Sequence, residues 1–143
     1  IKENPDLKFN LHGINTKQPI WADDFKLSLF KSKMALNLSQ GKATKYYSSD
    51  RIAQLIGNGI LTFVDIKTKL SKFFKNDEVI FYKSIKDLSQ KINFYSSNKV
   101  IRNKIAKNGK KKYLTLFNSS KIAEYIVDKS MNYKSNKKYF WDN

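Results

Sequence analysis

The segment SKMALNLSQGKATKYYSSDRIAQLIGNGILTFVD, residues 32–65, constrains the fold more tightly than any other part of the chain. Residues 34–39 read as a buried strand, and residues 40–47 as a polar loop carrying Lys42 and Lys45. A helix is expected to open at Ser48 and Ser49 and run to residue 56. Gly57, Asn58 and Gly59 then form a stop, and residues 60–64 are an almost wholly apolar second strand. Strands that are continuous apolar runs and alternate with helices argue for a parallel sheet covered on both faces. A strand that feeds a helix through a loop of small residues also aims orphan backbone N–H groups in one direction. Together with the positive end of the helix dipole, those groups make a ready anion site.

The same pattern recurs along the chain. Leu7, Phe9 and Leu11 alternate in a first expected strand over residues 7–13. Asp23 and Asp24 stand where the N-cap of a helix belongs, and Phe25, Leu29 and Phe30 supply its apolar stripe. Beyond residue 64 we expect a short turn of helix over 68–74 and a strand over 79–82. The next helix opens on a capping-box pattern from Ser84 to Asp87, with Ile85, Leu88 and Ile92 facing the sheet. Residues 98–117 read as one helix or a broken pair, with Val100, Ile101, Ile105, Leu114 and Phe117 inward. Gly109 is either a C-cap or a tolerated interior glycine. Ser119 and Ser120 are expected to cap a last helix, and residues 127–143 form a basic, aromatic tail. The fold class is therefore α/β: a Rossmann-like parallel sheet with helices on both faces and a helical C-terminal cap.

A chain of 143 residues is one domain, large enough to bury about 70% of its unfolded surface. It opens on Ile1 rather than Met and plunges almost at once into an expected strand, so we expect a piece of a longer protein. Without cysteine it offers neither disulfides nor a thiolate metal site. No apolar run approaches a membrane span and no signal-peptide form is present, which leads us to expect a cytoplasmic protein, at most at the inner face of the membrane. The net charge of +16 invites a polyanionic partner, yet only Arg51 and Arg102 among the 28 basic residues are arginine. Lys, Asn, Ile, Phe and Tyr all have A/T-rich codons, so drift of base composition accounts for the lysines. Readers of bases also rely on arginine's planar fork. Nucleic acid is thus disfavoured, while a peripheral contact with an anionic membrane stays open.

Arg51-Ile52-Ala53-Gln54-Leu55-Ile56-Gly57-Asn58-Gly59 resembles a short segment of GT-B glycosyltransferases of the "glycosyl transferases group 1" kind, including spore-maturation-type relatives. In that family the segment reads R-x-F-E-A-x-A-x-G and follows a strand. The stretch from Arg102 to Lys110 resembles the family's C-terminal "eRkkiAenGr" run. Phe117-Asn118-Ser119 stands where "FSW" precedes its last helix, and residues 9–13 resemble its strand near the nucleotide base. This likeness spans residues 7–126 and implies the C-terminal, nucleotide-sugar-binding half of a GT-B enzyme. It further implies a nucleoside diphosphate sugar as donor substrate, no separate cofactor and no metal. The acceptor would be bound by an N-terminal domain outside this chain, so this chain alone should not catalyse efficiently.

Under that resemblance Ser48, Ser49 and Asp50 offer backbone N–H groups to the diphosphate, and Arg51, with Lys42 or Lys45, supplies charge. Gln54 stands where the family has a ribose-binding glutamate, and Gly13 and Ile14 adjoin the base. No catalytic residue is assigned. From local chemistry alone a blander account competes: Ser48 and Ser49 cap a helix, and Arg51 pairs with Asp50 or Asp65. The paired acids Asp23/Asp24 and Asp77/Glu78 read as caps, the single His12 as a strand-end side chain, and Lys110-Lys111-Lys112 as a solvated face. Trp21 and Trp141 read as packing at domain edges. Two functional rivals remain. One is a basic non-catalytic α/β module that binds nucleic acid or an anionic membrane. The other is a degenerate domain that keeps the fold without the donor.

Overall fold

A computed structural model describes residues 2–14, 16–38, 41–131 and 138–141. Its centre is a parallel three-stranded sheet in the order β1-β2-β3, formed by β1 (Met34–Asn37), β2 (Leu61–Asp65) and β3 (Ile80–Tyr82). Asn37 pairs with Val64, and Val64 with Phe81, so the strands end nearly level. Helix α1 (Ala22–Lys31) precedes β1, and α2 (Asp50–Gly57) is the crossover to β2. Two short 3-10 turns, Ile66–Thr68 and Leu70–Lys72, lead towards β3. Three helices follow: α3 (Ile85–Ser97), α4 (Lys99–Leu116) and α5 (Ser119–Ser130).

The continuous apolar run of β2 is explained by its position between two helical layers. Leu61 and Phe63 point to one face, where Ile80 joins them against Ile105 and Ala106 of α4 and Leu88 and Ile92 of α3. Val64 points to the other face and, with Phe81, packs on Ile52 and Ile56 of α2. Each fully buried aliphatic side chain contributes about 1.5–3 kcal/mol, so the two layers hold the sheet from both sides. The expected α/β, Rossmann-like arrangement is the one observed, with α5 as the C-terminal helix.

Two glycines set how closely the layers approach. Gly59 takes φ +73°, and α2 ends there in a Schellman motif: the Gly59 N–H donates to the Ile56 carbonyl and the Ile60 N–H to that of Leu55. Gly109, buried in mid-α4, lies against the backbone carbonyl of Glu78, where a Cβ would collide. Glu78 and Gly59 both precede strands, so the middle of α4 crosses the N-terminal end of the sheet.

Several expectations are corrected. Residues 7–13 keep the alternation of half-buried Leu7, Phe9 and Leu11 with exposed neighbours but pair with no strand among the described residues, so they form an irregular segment. Asp23 and Asp24 lie in the first turn of α1 after the N-cap Trp21, acting on the dipole rather than as caps. Asn118, not Ser119 or Ser120, caps α5, by accepting from the Lys121 N–H. The stretch expected as one helix or a pair is the single helix α4 between the caps Asn98 and Phe117, whose rotation leaves Val100, Ile101 and Leu114 exposed, and on α3 Ile85 faces solvent rather than the sheet. Trp21 is exposed as well, whereas Trp141 stacks on Phe117. Ser39, Gln40 and most of the tail beyond Met131 lie outside the described residues.

Candidate functional site

The loop from β1 to α2 brings a helix N-terminus to the C-terminal end of the sheet. Asn37, the last residue of β1, is buried, and its Oδ1 accepts from the Ser49 hydroxyl at 3.3 Å. Ser49 is the N-cap of α2 by backbone position, yet its side chain makes no capping bond because it is turned to Asn37. The first amides of a helix have no partner within it, and a serine cap usually satisfies one. In α2 the Ile52 N–H donates instead to the Ser49 main-chain carbonyl at 3.0 Å, and the serine side chain caps neither it nor the two amides before it.

The rest of the loop is pinned around this point. Arg51, in the first turn of α2, is exposed and donates from Nη1 to the carbonyl oxygen of Leu38 at 2.6 Å. Tyr46 adopts φ +60°, and its N–H donates to the Thr68 carbonyl at 2.7 Å, fastening the loop to the segment after β2. Its ring meets Phe73 edge-on at 5.6 Å, and the ammonium of Lys45 lies 4.9 Å from the Tyr46 ring centre. Ser48 borders a cleft of about 200 Å³ whose walls include Tyr46, Phe73, Phe117 and Trp141. The exposed carboxylate of Asp50 adds a negative charge at the same helix end. Burial pushes the Tyr113 phenol above its ordinary pKa, and the charge of Asp50 adds to that rise.

Ser48, Ser49, Asp50 and Arg51 therefore share one corner, with Gln54 one turn further along α2 and half-buried. The Gln54 main-chain carbonyl accepts from the Asn58 side chain. Lys45 adjoins the corner through Tyr46, and Lys42 is an exposed loop residue. Gly13 and Ile14 lie in the N-terminal segment, where the Gly13 N–H donates to the Gln18 carbonyl and the Ile14 carbonyl accepts from Lys17. The alternative partners for Arg51 are not the ones it takes: its hydrogen bond is to Leu38, while the Asp65 carboxylate caps the turn at Lys67. Sequence reasoning passed over Asn37, although a polar residue ending an apolar strand at a strand-loop-helix junction was the available signal. The aromatic wall of the cleft had no such signal, since Phe73, Phe117 and Trp141 are distant in the chain.

The remaining candidates fall to structural roles. His12 meets the Ser28 hydroxyl at 3.2 Å in an exposed setting. Glu78 caps a turn by accepting from the Lys75 N–H at 2.8 Å. Lys110 and Lys111 are solvated on α4, and Lys112 lies over the Phe140 ring.

No curated protein and no solved structure matches the chain. The model of the glycosyl transferase-like family matches residues 1–128. With its parallel sheet, flanking helices and C-terminal helix forming an α/β, Rossmann-like half of a GT-B fold, the chain belongs to the glycosyl transferase-like family.

Proposed function

We propose that this chain is the donor-binding domain of a glycosyltransferase and grips the diphosphate of a nucleotide sugar at the N-terminus of α2. The observation that carries the reading is the Ser49–Asn37 hydrogen bond. It diverts the side-chain cap, and with the Ile52 N–H taken by the Ser49 carbonyl it leaves the amides of Asp50 and Arg51 to a ligand beyond the C-terminal ends of the strands, where α/β sheets generally bind. Arg51 adds a planar cation whose remaining N–H groups match phosphate oxygens.

During transfer, the bond between the anomeric carbon and the diphosphate oxygen breaks, and negative charge grows on the departing nucleoside diphosphate. Fixed N–H donors and a guanidinium at that point lower the barrier because they bind the charge more strongly as it develops. This chemistry needs no metal and no cofactor beyond the donor itself. The acceptor hydroxyl is brought by a second domain, and Gln54 faces the ribose with an amide in place of a carboxylate, giving neutral rather than charge-assisted hydrogen bonds.

Amide shifts recorded while UDP or GDP is titrated into the chain test the reading. Perturbation of residues 48–54 is expected. Shifts confined to residues 110–112, with 48–54 silent, overturn it.

A further inference from the structure

Between Asp87 and Glu124 the chain contains no acidic residue and eight lysines, and α4 lies wholly inside this stretch. Its 18 residues make a rod of about 27 Å. Lys99, Lys104, Lys107, Lys110 and Lys111 all lie among its exposed residues. At one end of this stripe the α3–α4 corner also exposes three apolar side chains: Phe94 (50%), Val100 (82%) and Ile101 (43%). The corner is rigidly built, because buried Arg102 donates from Nη1 to the carbonyls of both Tyr95 and Ser96, at 2.7 and 3.0 Å. Apolar tips beside a row of cations are placed as in a surface that rests on, rather than crosses, an anionic bilayer.

We propose that the exposed face of α4, led by the Phe94, Val100 and Ile101 corner, docks this domain peripherally on an anionic lipid surface. Charge complementarity favours this occupant, and the residue chemistry separates it from the alternatives. A nucleic-acid surface would draw on arginine forks, yet Arg102 is buried and engaged with backbone carbonyls. It would also gain nothing from the exposed valine and isoleucine. Helix α1 and its N-cap expose Phe30 (80%) and Trp21 (75%), but the exposed residues of α1 include Asp23 and Asp24, which an anionic membrane repels. No described helix is long and apolar enough to cross a membrane, so the contact is peripheral. Helix α3 runs back from the C-terminal end of β3, and Gly109 of α4 lies against Glu78 before that strand. The corner therefore sits at the opposite end of the sheet from the α2 N-terminus, and docking leaves the candidate donor site uncovered. The inference is independent of the proposed function.

The test is co-sedimentation of the full chain with vesicles of phosphatidylcholine alone and with about a third phosphatidylglycerol. Binding is expected only to the anionic vesicles, with release as salt rises to about 0.5 M. The pair Lys104→Glu/Lys107→Glu should weaken binding by about tenfold or more, and Val100→Ser should weaken it without lowering the melting temperature. Lys17→Glu/Lys33→Glu removes the same charge elsewhere and should leave binding nearly intact. Equal losses in the two lysine pairs would reduce the effect to net charge and overturn the proposal. So would absence of vesicle binding, or binding to RNA at about 0.15 M salt in its place.

Discussion

The guanidinium of Arg51 holds the carbonyl oxygen of Leu38 at 2.6 Å, tying the first turn of α2 to the residue that follows β1. The bond is exposed, so water competes for both partners and its contribution to folding is small. Under the proposed function the remaining N–H groups of the fork meet phosphate oxygens at the start of the helix. Arg51→Ala is therefore expected to weaken UDP binding by roughly 10- to 150-fold, the worth of a hydrogen bond to a charged group, with little change in melting temperature. Arg51→Lys keeps the charge but loses the fork and should recover only part of the loss. Calorimetric titration of the three proteins measures this, and unchanged affinity in Arg51→Ala removes the residue from the site.

Asp50 sets binding against stability. Its carboxylate in the first turn of α2 favours the helix dipole by about 0.3–1 kcal/mol, yet under the proposed function it stands beside an incoming diphosphate. Asp50→Asn should lower the melting temperature slightly while tightening UDP binding several-fold, most clearly at low salt. It should also bring the Tyr113 phenol partway back down, since the Asp50 charge is the smaller of the two causes of its raised pKa and burial persists. Ultraviolet titration of the tyrosines reads the second effect. Opposite changes in stability and affinity would not arise from a merely structural aspartate.

The core of the fold was open to sequence reasoning wherever local pattern and tertiary demand agree. The β1-α2-β2 unit is one case, because an apolar run, a Gly-Asn-Gly stop and a second apolar run can each be read within a few residues. The Ser84 cap is another: its hydroxyl accepts from the Asp87 N–H at 3.1 Å as the pattern required. Residues 7–13 misled because alternation reports one-sided burial, which an irregular segment at a surface shows without any ladder bond. The inward face of α4 was misjudged because this helix packs on α2, α3 and the end of the sheet, so its buried side follows tertiary crossing rather than the apolar stripe. At the candidate site, the cluster on α2 was visible as adjacent residues, whereas the bond that takes the Ser49 hydroxyl from its capping role joins it to Asn37, two side chains whose orientation no local rule sets.

Asp87 gives the cap of α3 a pH dependence of defined sign. Its carboxylate accepts from Lys91 Nζ and from the Lys83 N–H, both at 2.9 Å, and these bonds, with the side-chain one foremost, hold its pKa below the ordinary carboxylate value. A group whose folded pKa is lowered stabilises the fold above its unfolded pKa, about 3.9, and loses that contribution as pH falls from there through the folded value. The melting temperature of the native chain should thus drop more steeply below about pH 4 than that of Asp87→Asn, which lacks the titrating group. Above that pH the variant should be less stable at a constant offset. Parallel pH profiles for the two proteins would contradict the assignment.

Gly109 provides the sharpest test of how the helices cross. Glycine in a helix interior costs about 1 kcal/mol against alanine, so propensity alone forecasts a gain in stability for Gly109→Ala. Its backbone is ordinary helix, and no left-handed angle requires glycine there. The requirement comes from the neighbour: a Cβ at this position would run into the Glu78 carbonyl oxygen, and a backbone atom cannot rotate out of the way. Either α4 lifts from the sheet or the segment before β3 shifts, and both disturb Val79 and Ile105 in the two core layers. Overpacking of this kind costs about 1–3 kcal/mol, which outweighs the propensity term. Gly57, the last residue of α2, is the control, because a Cβ there would meet only the Tyr113 ring at 3.9 Å, an ordinary contact. Gly57→Ala should therefore raise the melting temperature and Gly109→Ala should lower it by several degrees, although both replace a helical glycine by the best helix former. Equal gains in the two variants would mean that α4 does not lie against Glu78.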